Sequence, residues 1–209
     1  MSKKLIQIEH PLIEHKLAFL RDKNTGSAEF RNIIRELTKF LGFEATRDIE
    51  LEDCTVESPL SKANVRKVTR PPVIVSIMRA GNGMLESMLE VLPFSQSGHI
   101  GIYRDKFINN TVEYYFKLPT DVKDKTILLL DPLLATGDTA VASIDRLKQY
   151  EVGKIKLLTM LTCPSGVKRV HEFHPDVDIY TLKGNEEIND KGYLVPGIGD
   201  AGDRLFGTK

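Results

Sequence analysis

Residues 127–130 read Ile-Leu-Leu-Leu, and with Thr126 they form an uncharged run that ends in Asp131. A strand with one wet face alternates apolar and polar residues. A strand that is apolar on both faces belongs inside a parallel sheet, with helices covering it above and below. The neighbouring segments agree. Residues 73–77 (Val-Ile-Val-Ser-Ile) read as a second buried strand, followed by a glycine-containing turn and a helical recurrence of Met84, Leu85, Met88, Leu89 and Leu92. Helix 139–150, strand 156–161, a helix from Pro164 and strand 177–182 follow. This alternation predicts an α/β fold with a mostly parallel central sheet flanked by helices. Its ligand is expected beyond the carboxyl ends of the strands.

Residues 98–104 and 111–118 predict a β-hairpin arm around the turn-rich stretch 105–110. Near the amino end, Phe30, Ile33, Ile34, Leu37, Phe40 and Leu41 share one helical face, with Ser27 placed to cap the helix and Gly42 to end it. A shorter helix is expected around 12–20. No repeat or linker divides the 209 residues, so a single domain over 1–209 is expected, long enough to bury a sizeable core. Lys plus Arg equals Asp plus Glu at 29 each, so no global field draws the chain to nucleic acid or to an anionic membrane. No apolar stretch reaches the ~20 residues that span a bilayer, and residues 1–16 lack the apolar centre of a signal peptide. Cys54 and Cys163 have neither metal-ligand spacing nor the density of a disulfide scaffold. A cytoplasmic protein with reduced thiols is expected.

An anion site must then be built locally, and residues 131–140 have the composition for one. Asp131-Pro132-Leu133-Leu134-Ala135-Thr136-Gly137-Asp138-Thr139-Ala140 leads from the buried strand into a helix. Small residues there let successive amides converge on one point, and the helix N-terminus adds favourable charge. Thr136 and Thr139 add hydroxyl donors, and Asp131 can meet ribose hydroxyls, or a metal through water. No Lys-Ser/Thr follows the glycine, so this is not a Walker loop. Arg79, in Arg-Ala-Gly-Asn-Gly after strand 73–77, and Arg104, at the end of strand 98–104, could offer guanidinium groups to a polyanion. Near the carboxyl end, residues 192–207 (GYLVPGIGDAGDRLFG) combine many glycines with the apolar anchors Tyr193, Leu194, Val195, Ile198, Leu205 and Phe206, which a floppy tail lacks.

The string 131–137 resembles the phosphoribosyl pyrophosphate (PRPP) signature of type I phosphoribosyltransferases, in the form found in uracil phosphoribosyltransferases. Residues 76–81 (SIMRAG), 98–105 (GHIGIYRD) and 192–207 are similar to further segments of that family. The resemblance covers most of residues 73–207. It implies transfer of the phosphoribosyl group of PRPP to uracil, giving UMP and pyrophosphate, with Mg²⁺ held mainly through PRPP. By the same resemblance Arg79, Arg104, residues Asp131 to Thr139 and Asp200 bind PRPP, while Leu194, Gly199, Asp200 and Ala201 contact uracil in a C-terminal base-binding segment. Asp131, Arg104 and Asp200 are the catalytic candidates, and which group assists deprotonation of uracil N1 stays open. The resemblance further implies a homo-oligomer, dimer or tetramer, with the hairpin a candidate contact, and GTP as a candidate activator.

Two positions depart from the family pattern. Asn82 stands for an aliphatic residue, and Asp138 for a small uncharged one that we expect to point outward as the helix cap. Other residues have plainer readings. His171 and His174 are three apart but lack further ligands for a metal. His10, His15 and His99 suit surface or packing roles, and 62–70 a solvated face, a helix–strand connector or the lining of a nucleotide or anion site. Tyr114, Tyr115 and Phe116 suit a strand or subunit interface. The other functional classes to weigh are a base- or nucleotide-sensing regulator on the same fold and a catalytically silent relative.

Overall fold

The computed structural model describes residues 4–105 and 110–208, with the backbone alone at 104, 105 and 110. In chain order the elements are β1 (Leu5–Gln7), α1 (Pro11–Arg21), α2 (Ser27–Ala45), β2 (Leu51–Glu57), β3 (Lys62–Val68), β4 (Val73–Met78) and α3 (Asn82–Val91). There follow β5 (Ser97–Asp105), β6 (Asn110–Lys117), β7 (Ile127–Leu130), β8 (Leu133–Leu134), α4 (Asp138–Lys148), β9 (Ile155–Thr162) and α5 (Pro164–Phe173). The chain continues through β10 (Asp178–Lys183), β11 (Glu187–Ile188), β12 (Leu194–Val195) and α6 (Ala201–Phe206).

The main sheet runs β1-β10-β9-β7-β4-β5-β6, and β8 pairs with β9. All its pairings are parallel except β5 with β6. The run that opened the argument, β7, sits at the centre and is buried at every residue. Its side chains alternate between two cores, as a two-sided strand must. Leu128 and Leu130 join α1, α2 and α3, through Leu17, Phe30, Leu37 and Met88. Ile127 and Leu129 join α4 and α5, through Ile144, Leu147 and Val170.

From β4 the chain crosses by α3 to β5 on one side; from β7 it crosses by α4 to β9 on the other. Strand order therefore reverses between β4 and β7, which opens a crevice beyond their carboxyl ends. The loops that leave these two strands carry Arg79 and Asp131.

Several expectations need revision. Gly42 does not end α2, which continues to Ala45. A β-carbon at Gly42 would lie 2.8 Å from Met88 Sδ, so this glycine lets α3 pack closely on α2 instead. Gly26, not Ser27, is the residue before the first turn, and no side chain caps it. Residues 62–68 are not a connector but one strand of a two-stranded ribbon, β2–β3, whose surface is largely solvated. The predicted hairpin is present as β5–β6, although residues 106–109 of its turn lie outside the described residues.

Candidate active site

Asp131 follows β7 directly, and its N–H donates to Leu158 O at 3.2 Å, extending the sheet by one residue. The loop beyond is less of a free turn than its sequence suggests. Pro132 O accepts from the amides of Met160 and Leu161 (2.9 and 3.2 Å), and Leu133–Leu134 add a short strand beside β9. Sheet pairing thus stiffens the loop before it reaches Thr136. Gly137 takes the residue before α4 with φ at +86°, a conformation that side chains disfavour. This corrects the capping role expected of Asp138. Asp138 is the first helical residue, and its carboxylate faces outward to Arg169 Nε of α5 at 3.4 Å. The outward orientation holds; the cap is glycine.

The start of α5 braces the same loop from behind. Cys163 N–H donates to Leu134 O (3.3 Å), and the Cys163 thiol donates to Ala135 O (3.0 Å). Residues 131, 133–137, 139 and 140 then line a cleft of about 730 Å³. Its other wall is formed by residues 188–193 of the β11–β12 hairpin and by Asp200. The loop 131–140 and the carboxyl-terminal segment therefore face one space.

Within that cleft, burial pushes the Asp131 carboxyl up to about 7, only weakly opposed by the Leu133 N–H 3.5 Å away. Asp200 caps α6 by accepting from Asp203 N–H at 2.9 Å. Leu194 and Ala201 have buried side chains, whereas Gly199 is exposed. None of the three is among the residues that line the cleft. Arg79 lies off the lining too, after a cis peptide from Met78. Its guanidinium donates to Asp203 Oδ1 (3.0 Å) and Thr208 Oγ1 (3.3 Å). The side chain of Arg104 lies outside the described part of the structure; its backbone pairs with Thr111 in the β5–β6 ladder. Asn82, the first departure, has a partner. Its carboxamide oxygen accepts from the buried Ser76 hydroxyl at 2.6 Å, which an aliphatic residue could not do.

Sequence reasoning missed how the carboxyl-terminal segment is held. Arg21, in the last turn of α1, donates to both oxygens of Glu186 (3.1 and 2.6 Å) and to Gly197 O (3.0 Å). Glu186 also accepts from Gly197 N–H at 2.9 Å. Burial alone would raise the Glu186 carboxyl, but Arg21 and the Gly197 amide outweigh it and hold the group below the ordinary carboxylate range. Arg204 packs its guanidinium 4.2 Å over the Phe30 ring and donates to Leu20 O, Asp22 O and Ile198 O (2.6, 2.6 and 3.1 Å). No spacing rule links residues 165 positions apart, so no local signal announced this clamp.

The clamp predicts an effect at one substrate only. Glu186→Ala strands a half-buried arginine and frees Gly197, a disruption that costs about 3–5 kcal/mol when a buried pair loses one member. If the carboxyl-terminal segment reads the base, as the family resemblance implies, the KM for the base should rise at least tenfold while that for PRPP moves less than threefold, as initial-rate kinetics with each substrate varied will show. Because the carboxyl is depressed, this stabilisation is present above about pH 4.5 and disappears as the pH falls through the lower folded value.

The remaining candidates resolve simply. His171 and His174 each bond a backbone carbonyl, Val177 O and Val141 O. No group of three metal-binding side chains occurs among the described residues. His10 caps α1, and His15 packs edge-on to Phe19. Arg70 lines a second cleft, of about 650 Å³, at the amino ends of β4, β7 and β9. There Lys154 and Lys156 pair with Asp48, Lys123 with Glu151 and Lys125 with Asp121, so most of its positive charge is already compensated.

Comparison with known proteins identifies the family. The chain is 51% identical to the uracil phosphoribosyltransferase of Finegoldia magna and 48% identical to that of Geobacillus kaustophilus, each over 207 residues and 99% of both chains. The solved structure of the AQ2163 protein from Aquifex aeolicus superposes with a TM-score of 0.91 at 34% identity, covering 97% of each chain. Adenine phosphoribosyltransferase from Leishmania donovani shares the fold, with a TM-score of 0.59 at 11% identity over 88% of this chain and 84% of that one. With the family's sequence profile matching residues 7–208, the chain belongs to the uracil phosphoribosyltransferase family.

Proposed function

We propose that residues 1–209 act as one phosphoribosyltransferase domain that transfers the phosphoribosyl group of PRPP to uracil, releasing UMP and pyrophosphate. One observation carries this reading. The loop 131–140 and Asp200 of the carboxyl-terminal segment line the same cleft at the switch point of the sheet. Its volume, about 730 Å³, falls within the usual range for a small-ligand site.

In this reading the amides at the start of α4, with Thr136 and Thr139, hold the 5′-phosphate. Arg79 and Arg104 take the pyrophosphate, and Asp131 and Asp200 stand beside the ribose. Backbone groups of Leu194, Gly199, Asp200 and Ala201 meet the edge of uracil. Uracil presents acceptor, donor and acceptor along that edge. Cytosine inverts two of the three and would leave buried dipoles unpaired, a strong basis for discrimination. Uracil N1 attacks ribose C1 as the C1–O bond to pyrophosphate breaks, and the N1 proton is lost. Positive charge develops on the sugar, so no protein nucleophile is required. Cys163, whose thiol is spent on Ala135 O, is not poised to be one.

Oxygen donors of the Asp131 and Asp200 type suit Mg²⁺. A carboxyl pushed up by burial without a cationic partner is one that a nearby cation would favour. In this reading the metal arrives largely on the oxygens of PRPP. When bound, Mg²⁺ supplies charge neutralisation for the departing pyrophosphate.

The exposed Tyr103, Tyr114 and Tyr115 of the β5–β6 hairpin favour a homo-oligomer, dimer or tetramer, built through this arm. GTP is retained as a candidate activator from the family resemblance. No described helix is long and apolar enough to cross a membrane, in keeping with the cytoplasmic setting proposed here. The departures at Asn82 and Asp138 both have local structural roles and do not argue for a silent relative. No specific observation favours a non-catalytic regulator. The test is direct: purified protein with uracil, PRPP and Mg²⁺ should form UMP, and should not form CMP from cytosine. Absence of UMP would sink the proposal.

A further inference from the structure

We infer that Lys191, at the tip of the β11–β12 hairpin, is a further substrate-binding residue, a cation that closes over the 5′-phosphate end of PRPP. The inference rests on the reading of residues 131–140 as the phosphate loop. Four observations lead to it. First, among the described residues that line the cleft Lys191 is the only cationic side chain, beside three carboxylates, Asp131, Asp190 and Asp200. With Arg79 and Arg104 assigned to the pyrophosphate, the ammonium group of Lys191 and the loop amides are the positive features that the described lining offers to the 5′-phosphate. Second, the tip is rigidly made. The Asn189 carboxamide oxygen accepts from Lys191 N–H and Tyr193 N–H, both at 3.0 Å. The Asn189 backbone exchanges a pair of bonds with Tyr193 O (3.0 Å) and Gly192 N–H (2.9 Å). Third, the tip comes near the loop 131–140, since a β-carbon built at Gly192 would lie 4.0 Å from Thr136 Cγ2. Fourth, Lys191 is exposed, and among the described residues its ammonium group has no ion pair or hydrogen bond. The neighbouring acids are otherwise accounted for only in part: Asp200 is spent on capping α6, whereas Asp190 stays beside Lys191 at the mouth of the cleft.

A lysine on a stiff tip beside the α4 N-terminus can reach the anion that the amides hold from below. The backbone donors fix the phosphate, and Lys191 covers it from the solvent side as a flexible point charge. One charge-assisted contact of this kind changes affinity by about tenfold. The role is assigned to the phosphate of the sugar, not to the leaving pyrophosphate, because Gly192 of the tip neighbours Thr136, whereas the Arg79 guanidinium is directed to Asp203 and Thr208.

The experiment separates the two ends of PRPP by using them as competitive inhibitors of the full-length enzyme. For Lys191→Met, which keeps the length of the side chain and removes its charge, the Ki of ribose 5-phosphate should rise about tenfold. The Ki of pyrophosphate and the KM of uracil should stay within twofold, and Lys191→Arg should recover most of the lost affinity. An unchanged Ki for ribose 5-phosphate overturns the inference. So does an equal loss for pyrophosphate, or a rise in the uracil KM that would mark a merely structural hairpin defect. If ribose 5-phosphate fails to inhibit the unmodified protein, the phosphate-loop reading fails first and this inference with it. If it inhibits both proteins equally, only the role of Lys191 is lost.

Discussion

Gly166→Ala is expected to lower kcat/KM for PRPP about a hundredfold while leaving the KM for uracil within threefold. Gly166 stands in the first turn of α5, where a β-carbon would lie 2.2 Å from Ala135 O and 3.0 Å from Leu134 O. Both are backbone atoms, so no rotamer change relieves the clash, and something must move by about an ångström. Helix α5 is the stiffer side. Val170 is buried in the core, and His171 bonds Val177 O behind it. The loop is the part that yields, and its amides are the proposed phosphate donors. A misplacement of about 1 Å in a binding element typically costs on the order of 10² in rate. Overpacking also destabilises by about 1–3 kcal/mol, so melting temperature should be recorded beside the kinetics. Retention of wild-type kcat/KM would show that α5 does not position the phosphate loop. Cys163→Ser, which keeps a donor toward Ala135 O, should be much milder than Gly166→Ala.

Asp131→Asn should cut turnover by about 10²–10³, the scale seen when one preorganised electrostatic group is removed, and should stabilise the free protein at alkaline pH. The Asp131 carboxyl titrates near 7 in the folded chain against an ordinary value of 3.8. Between those two values the folded state keeps a proton that the unfolded state has released. Stability therefore falls as pH rises across this window. Asparagine has no such proton to lose. The variant should gain little at pH 4 and most above pH 7, by on the order of 1–3 kcal/mol because the carboxylate keeps part of its surface in the cleft. Thermal melts at pH 5 and pH 8 decide the matter. A gain that does not grow with pH would show that Asp131 is not strained by its surroundings. Loss of activity with a gain in stability is the usual mark of a group retained for function.

The readable parts of this chain were those where one local pattern has one physical cause. Residues 127–130 could be read as a central strand because burial on both faces leaves no room for a polar residue. Residues 131–139 could be read as a strand-to-helix loop because a strand, small residues and a helix start follow in direct succession. The ribbon β2–β3 was hidden because its exposed residues are charged, and Lys62, Arg66 and Lys67 look like solvated connector from composition alone. Strand β1 is three residues long, too short for a period to register. Gly42 misled because glycine ends helices often, and only the partner helix reveals that it serves close packing. The clamp of Arg21, Glu186 and Gly197 joins distant parts of the chain, and long-range pairing leaves no trace in spacing.

That clamp has a consequence for genetics. Helices α1 and α2 contribute no side chain to the cleft, yet Arg21 and the carbonyls of Leu20 and Asp22 hold the segment proposed to read the base. Cells selected for resistance to a toxic uracil analogue that needs this enzyme should carry lesions not only around codons 131–140 and 194–201 but also within the first 45. Those early alleles would produce folded protein whose defect is cured by raising the concentration of the nucleobase.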